Sequence, residues 1–321
     1  MGALSNKIRA WKKNFASKTH NFGISLACYS FLFDFNSSVT HMDRLQSYFL
    51  NKKSKFVFEY VEKYNKAALI GIDIKKEEKL VEMYPVWTFW FQGFDKAPYI
   101  VQKCSEQMER AFCNKKYKVY KLDLSNIDKY IDIPKYIKEK VESGNIGLAL
   151  YSDFIRISLI EKYGGIWIDS TCYCLEPIQD LTTYPFFSCK TNNLNPLLTS
   201  KEQWANYCLG SSKKHELLFQ YLRGFLLEYW KNENSDVDYL LTDYAIRLAY
   251  NNLSVVKERI DSLEENNVNR GKLMPMLNDV YDENKLNEIT SNTWLFKLTY
   301  KQQLKQYDAN NNETFYGKLF K

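Results

Sequence analysis

Two glycines, Gly164 and Gly165, stand between a helical stretch from about Leu148 to Tyr163 and a short apolar run, Ile166-Trp167-Ile168, that ends in Asp169-Ser170-Thr171. A glycine pair at such a point ends the helix with a residue free to take positive φ and turns the backbone tightly into a strand. It is punctuation, not a phosphate cradle. A strand of similar texture lies upstream: Tyr84 to Phe91 contains the β-rich run Val86-Trp87-Thr88-Phe89-Trp90-Phe91 and is closed by Gln92-Gly93. Pro98 then opens a helix with Ile100, Val101, Cys104, Met108, Ala111 and Phe112 on its apolar face, and Tyr117 to Leu122 returns as a second strand. Strand, helix and strand in succession predict an α/β fold with a parallel sheet covered by helices and a working site at the carboxyl ends of the strands. Further on, Phe186 to Cys189 and Trp294 to Tyr300 read as strands, and His215 to Trp230 and Val237 to Tyr250 as helices.

Residues 1–80 differ in texture. Leu45, Tyr48, Phe49, Phe56, Val57, Tyr60, Val61 and Tyr64 recur at three- and four-residue steps, which is a helical period. The chain carries a formal charge of +6, yet residues 1–66 alone hold 11 Lys and Arg against 4 Asp and Glu, so the remainder is close to neutral. We therefore divide the chain into a basic helical N-terminal region, 1–80, and an α/β domain, 81–321. Such a charge suits an anionic membrane surface, or simply a solvated helical face. Nucleic acid is the rival partner, but no helix-turn-helix, zinc-finger or RNP-like pattern is present and the positive charge stops before the α/β part, so none is expected. The longest apolar stretch, Phe22 to Phe33, is broken by Ser25 and Ser30 and falls short of the roughly 20 residues that span a bilayer. Met1 to Lys18 lacks the apolar core of a secretory signal, and seven cysteines at irregular spacings imply no disulfide framework, so the expected location is cytoplasmic.

The chemistry concentrates around the double glycine. Asp153 and Arg156, three residues apart on the preceding helix, share a face, as an intrahelical ion pair also would. The strand then delivers Asp169 to the rim of the sheet, so three ionisable groups point at one cleft. Carboxylates there hold ribose or sugar hydroxyls by hydrogen bonds, or anchor a divalent cation that neutralises a diphosphate. No G-x-G-x-x-G follows the first strand and no G-x-x-x-x-G-K-[ST] occurs, so the backbone phosphate cradles of NAD- and ATP-binding enzymes are missing. The three histidines, His20, His41 and His215, form no H-E-x-x-H, which argues against a zinc hydrolase. Lys213, Lys214 and Lys297 are candidates to meet a diphosphate. Asp243 either faces an acceptor or sits on the exposed turn of an amphipathic helix.

The string Ser152-Asp153-Phe154-Ile155-Arg156, followed by Tyr163-Gly164-Gly165-Ile166-Trp167-Ile168-Asp169, resembles the donor-site signature of glycosyltransferase family 32 and its large clostridial toxin relatives. The wider run from Trp87-Thr88-Phe89-Trp90-Phe91-Gln92-Gly93 to Lys297-Leu298-Thr299-Tyr300-Lys301 is similar to bacterial capsular polysaccharide synthesis proteins within that group. This resemblance implies a GT-A (Rossmann-like) fold for 81–321 and transfer, with retention, of a hexose-type sugar from a nucleotide-sugar donor, foremost a UDP-sugar. The acceptor would be a glycan or glycolipid, a lipid-linked capsular or exopolysaccharide repeat unit, met by a peripheral enzyme at the inner face of the membrane. Asp153, Arg156 and Asp169 would be catalytic and contact the donor together with Trp90, Gln92, Thr171 and Lys213. Asp169 and Thr171 would hold Mn2+ or Mg2+, although Thr171 stands where the D-x-D pattern of the family has a second acid. The alternative is an inactive sugar-nucleotide-binding relative.

Overall fold

The computed structural model describes residues 2–40, 42–80, 83–193, 195 and 198–321; His41 lies outside them. Four helices come first: α1 (Gly2–Phe22), α2 (Ile24–Phe35), α3 (Asp43–Val61) and α4 (Asn65–Ile70). The α/β part then runs β1 (Glu78–Lys79), β2 (Tyr84–Phe89), α5 (Tyr99–Ala111), β3 (Tyr117–Leu122), α6 (Lys135–Glu142), α7 (Leu148–Tyr163), β4 (Gly165–Ile168) and β5 (Cys172–Cys174). It continues through β6 (Phe187–Ser188), β7 (Cys208–Ser211), β8 (Lys213–Lys214), α8 (Leu217–Asn232), α9 (Leu241–Asn252) and α10 (Ser254–Asp261). The last elements are α11 (Leu273–Met276), α12 (Glu283–Thr290), β9 (Leu295–Lys297) and α13 (Phe315–Leu319).

The α/β class holds, but the sheet is mixed where the sequence pattern predicts a parallel one. Its five strands lie in the order β3-β2-β4-β7-β6; β3, β2 and β4 are parallel, whereas β7 is antiparallel to both β4 and β6. Among the described residues no helix lies between β6 and β7, so the element that usually carries a parallel crossover is missing there. All six residues of β2 are buried, as befits a strand paired on both edges and covered on both faces.

At the helix-to-strand turn Gly164 and Gly165 take φ of +66° and +86°. A Cβ on Gly165 would stand 2.3 Å from the Pro85 carbonyl oxygen, so close pairing of β4 with β2 requires glycine there. Trp87 fastens the turn by donating its indole N–H to the Gly164 carbonyl at 2.9 Å. Helix α7 is buried all round from Asp153 to Ile160, because it packs between the sheet and α8. Its polar residues are thereby committed to the interior.

The N-terminal helices share the core of the α/β part. Phe22, Leu26, Val57, Val61, Tyr64 and Ala68 belong to the same apolar cluster as Trp87, Trp167 and Tyr229. Burying a valine-sized side chain contributes about 1.5–3 kcal/mol, so fully buried Val57 and Val61 alone anchor α3 firmly. Lys18 Nζ donates to the Val237 carbonyl at 2.7 Å and Lys53 pairs with Asp238 at 2.8 Å, which pins α1 and α3 to the approach to α9. A second, smaller cluster joins Val101, Cys104, Tyr173, Phe296 and Phe315. It supports the antiparallel pair β5–β9, whose register sets Cys172 opposite Lys297. Among the described residues no helix is long and apolar enough to cross a membrane.

Candidate functional site

The parallel strands β2 and β4 open at their carboxyl ends onto a cleft of about 1260 Å³. Trp90 and Gln92 follow β2, Asp169 and Thr171 follow β4, and α7 offers Asp153 and Arg156 from behind. Alternate residues of a strand share a face, so Trp167 and Asp169 both turn toward α7. Arg156 lies between them. Its Nη1 is 3.0 Å from Asp153 Oδ1, its Nη2 donates to Asp169 Oδ1 at 3.0 Å, and its guanidinium stacks 5.0 Å from the Trp167 ring centre. Trp167 Nε1 donates to the same Asp169 Oδ1 at 2.8 Å. On the open side, Lys297 Nζ donates to Asp169 Oδ2 at 2.6 Å and to Thr171 Oγ1 at 2.8 Å.

Asp153 is held from three directions. Besides Arg156, the Thr242 hydroxyl donates to its Oδ2 at 2.8 Å and Asn206 Nδ2 at 3.2 Å. Next to it, Asp243 accepts from Trp204 Nε1 at 2.8 Å, and Arg247 lies 4.5 Å from the Trp204 ring centre. These surroundings drive the two carboxylates apart. Burial lifts the Asp153 carboxyl above the ordinary range, and Arg156 and Thr242 counter this only in part. Burial acts on Asp169 too, but there Lys297 and Arg156 outweigh it and hold the carboxyl below the ordinary range. Burial also opposes the Lys297 charge, yet the Asp169 carboxylate overcomes this and its pKa stays above that of a free lysine. Asp243 is pushed up to about 7, by burial first and with Asp153 adding to the rise.

A family model described as capsular polysaccharide synthesis protein matches residues 38–319. The chain belongs to that family. Membership carries a role in capsular polysaccharide biosynthesis. The matched region takes in the whole cleft and, with α3 and α4, part of the helical N-terminal region. Neither a search of curated proteins nor one of solved structures returns a match.

In this member of the capsular polysaccharide synthesis family, Asp153, Arg156 and Asp169 come together, and Trp90, Gln92 and Thr171 line the same cleft. Lys213 does not. Because β7 runs antiparallel to β4, its end, Ser211, lies beside Gly165 at the start of β4, and Lys213 follows at the far end of the sheet from Asp169. There Lys213 Nζ pairs with Glu77 at 2.6 Å. Lys214 shares β8 with it, His215 pairs with Glu161 at 2.7 Å, and Glu216 caps α8. Of the three candidate lysines, Lys297 is the one in the cleft. Asp243 also belongs to the cleft wall and is buried, where an exposed helical turn was the other expectation. Asn206, Tyr207 and Thr242 have no signature in the sequence; they reach the site only through the pairing of β7 with β4 and the hydrogen bond from α9 to Asp153.

Proposed function

We propose that the cleft binds a nucleotide sugar, foremost a UDP-linked hexose, and that the chain is a glycosyltransferase of GT-A type. It passes the sugar to a hydroxyl of a growing, lipid-linked capsular or exopolysaccharide repeat unit, with retention of the anomeric configuration. One observation carries this reading: Asp153, Arg156 and Asp169 converge at the carboxyl ends of the parallel strands, in a cleft of about 1260 Å³, in a capsular polysaccharide synthesis family member. Ligand pockets are commonly about 300–1,000 Å³, so the space suits a nucleotide sugar and leaves room for an acceptor.

The side chains divide the work by exposure. Asp169, with 26% of its side chain open, accepts ribose or sugar hydroxyls, while Arg156, only 5% open, holds both carboxylates in place. Asp153, narrowly exposed on the cleft floor, meets the donor sugar. Trp90 and Tyr300, edge to face at 5.6 Å, offer aromatic surface for the base or a sugar ring. Retention then follows without a side-chain nucleophile. The acceptor oxygen bonds to the anomeric carbon on the face from which the diphosphate departs, the bond to the diphosphate breaks, and the acceptor proton passes to the departing phosphate oxygen. Such a step asks the protein for positioning and electrostatic stabilisation.

The membrane reading stands on the exposed basic residues of α1, Lys7, Arg9, Lys12 and Lys13, beside exposed Ile8. These suit an anionic leaflet that holds a lipid-linked acceptor. The experiment that tests the donor reading is a screen of nucleotide sugars for thermal stabilisation of the protein and for hydrolysis. One nucleotide sugar should both stabilise and turn over. Stabilisation without turnover, with acceptor present, would instead support an inactive sugar-nucleotide-binding relative; no response to any of them would place the function elsewhere.

A further inference from the structure

A divalent cation on Asp169 and Thr171 is part of what the resemblance to family 32 implies, and the donor set does not fit one. Mg2+ and its neighbours ask for hard oxygen ligands, carboxylates above all. Thr171 supplies a neutral hydroxyl. Both Asp169 oxygens are engaged, Oδ1 by Arg156 Nη2 at 3.0 Å and Trp167 Nε1 at 2.8 Å, Oδ2 by Lys297 Nζ at 2.6 Å. The Thr171 hydroxyl accepts from the same ammonium at 2.8 Å. An ion touching both residues would stand against two side-chain cations, and among the described residues no group of three His, Cys, Asp or Glu is assembled to hold it.

We propose that Lys297 takes the place of the divalent cation: its ammonium, bridging Asp169 and Thr171 in the cleft, neutralises the donor diphosphate, and the chain binds nucleotide sugars without metal. This rests on the nucleotide-sugar reading above. The backbone fixes the arrangement, since Cys172 pairs with Lys297, the Leu298 N–H donates to the Thr171 carbonyl at 3.0 Å and the Cys172 N–H donates to the Asp169 carbonyl at 2.9 Å. The ammonium is therefore held against the turn that would otherwise carry the metal. It has three protons, of which Asp169 and Thr171 take two. With 33% of the side chain open and the Tyr207 ring centre 5.1 Å from Nζ, the ammonium remains accessible to a phosphate oxygen. Lys301, exposed on the same cleft wall, brings a second positive charge. Lysine acts on phosphate as a compact point charge, which is the part a cation would play.

The test is titration calorimetry of the full chain with uridine, guanosine and adenosine diphosphates, in EDTA and in excess Mn2+, with Mn2+ alone as a separate titrant. The expected result is one nucleotide bound with the same affinity in both buffers, no binding of Mn2+ alone, and a loss of roughly ten- to a hundredfold in Lys297→Ala, the worth of a hydrogen bond to a charged group. The double variant Lys297→Ala, Thr171→Asp should recover binding only when Mn2+ is present. Binding that EDTA abolishes, or saturable binding of Mn2+ alone, overturns the role of Lys297 while leaving the nucleotide-sugar reading intact. Unchanged affinity in a folded Lys297→Ala overturns it as well. Absence of nucleotide binding in every buffer removes both. Should Lys297→Ala fail to fold, the wild-type comparison of the two buffers decides by itself.

Discussion

Lys297 and Asp169, 128 residues apart in the chain, meet at 2.6 Å. The pairing of β5 with β9 brings them together, and each remains partly open to the cleft, 33% for Lys297 and 26% for Asp169. At that exposure the ion pair itself contributes little to stability. Its consequence is electrostatic: the carboxylate is kept ionised and the ammonium is kept charged, both facing the space a ligand would enter.

Arg156 is the opposite case. It is buried between two carboxylates, so Arg156→Ala leaves Asp153 and Asp169 without their shared guanidinium, and loss of one partner of a buried pair costs about 3–5 kcal/mol. Arg156→Lys replaces a planar fork by a point charge and should recover only part. Urea unfolding monitored by tryptophan fluorescence measures both variants. An unchanged midpoint in Arg156→Ala would show that the bridge does not hold the site together.

Asp243 predicts a pH dependence. Its folded pKa, about 7, lies above the ordinary carboxylate value of 3.8 because it is buried, so the folded state prefers the protonated form. Stability from this group is complete below the unfolded value and is lost as pH rises through the folded one. Asp243→Asn keeps an acceptor for Trp204 and removes the titration. Relative to wild type it should raise Tm more at about pH 8 than at about pH 5; an equal difference at both would contradict the burial argument.

Gly165→Ala should be severe. The new methyl would press on the Pro85 carbonyl at 2.3 Å, in backbone of φ +86°, and so separate β2 from β4. Gly271→Ala is the control, since a Cβ there meets nothing within 4 Å. Soluble yield and Tm compare the two. Equal behaviour would mean that the turn tolerates a side chain.

How legible these features are in the sequence depends on their range. Helix α7 can be read to the residue because its apolar surroundings and the glycine pair are local signals, and Asp169 follows from the strand that the turn must begin. Strands β2 and β3 announce themselves by their aromatic and β-branched content. Strand β7, four residues without alternation, does not, and with it are lost the antiparallel half of the sheet, Asn206 and Tyr207. The same omission makes Lys213 look like a phosphate ligand, since only the direction of β7 reveals that it lies at the wrong end. Thr242 reaches Asp153 across 89 residues and Lys297 reaches Asp169 across 128, contacts that no local period encodes.

The membrane reading is open to a direct check with vesicles. The chain should sediment with vesicles rich in anionic lipid at low salt and be released as salt screens the attraction. Lys12→Glu with Lys13→Glu, both exposed on α1, should weaken binding without changing Tm. Indifference to anionic lipid would assign the basic face to solvent.

If Asp153, Arg156 and Asp169 form the donor site, turnover depends on the charge of Asp169, and the rate of nucleotide-sugar hydrolysis in Asp169→Asn measures that dependence. The substitution preserves shape and removes the charge that Arg156 and Lys297 share. With circular dichroism showing an intact fold, the rate should fall by on the order of a hundredfold or more, the scale of losing one electrostatic group in an active site. A folded Asp169→Asn that turns over at the wild-type rate would place the donor site elsewhere.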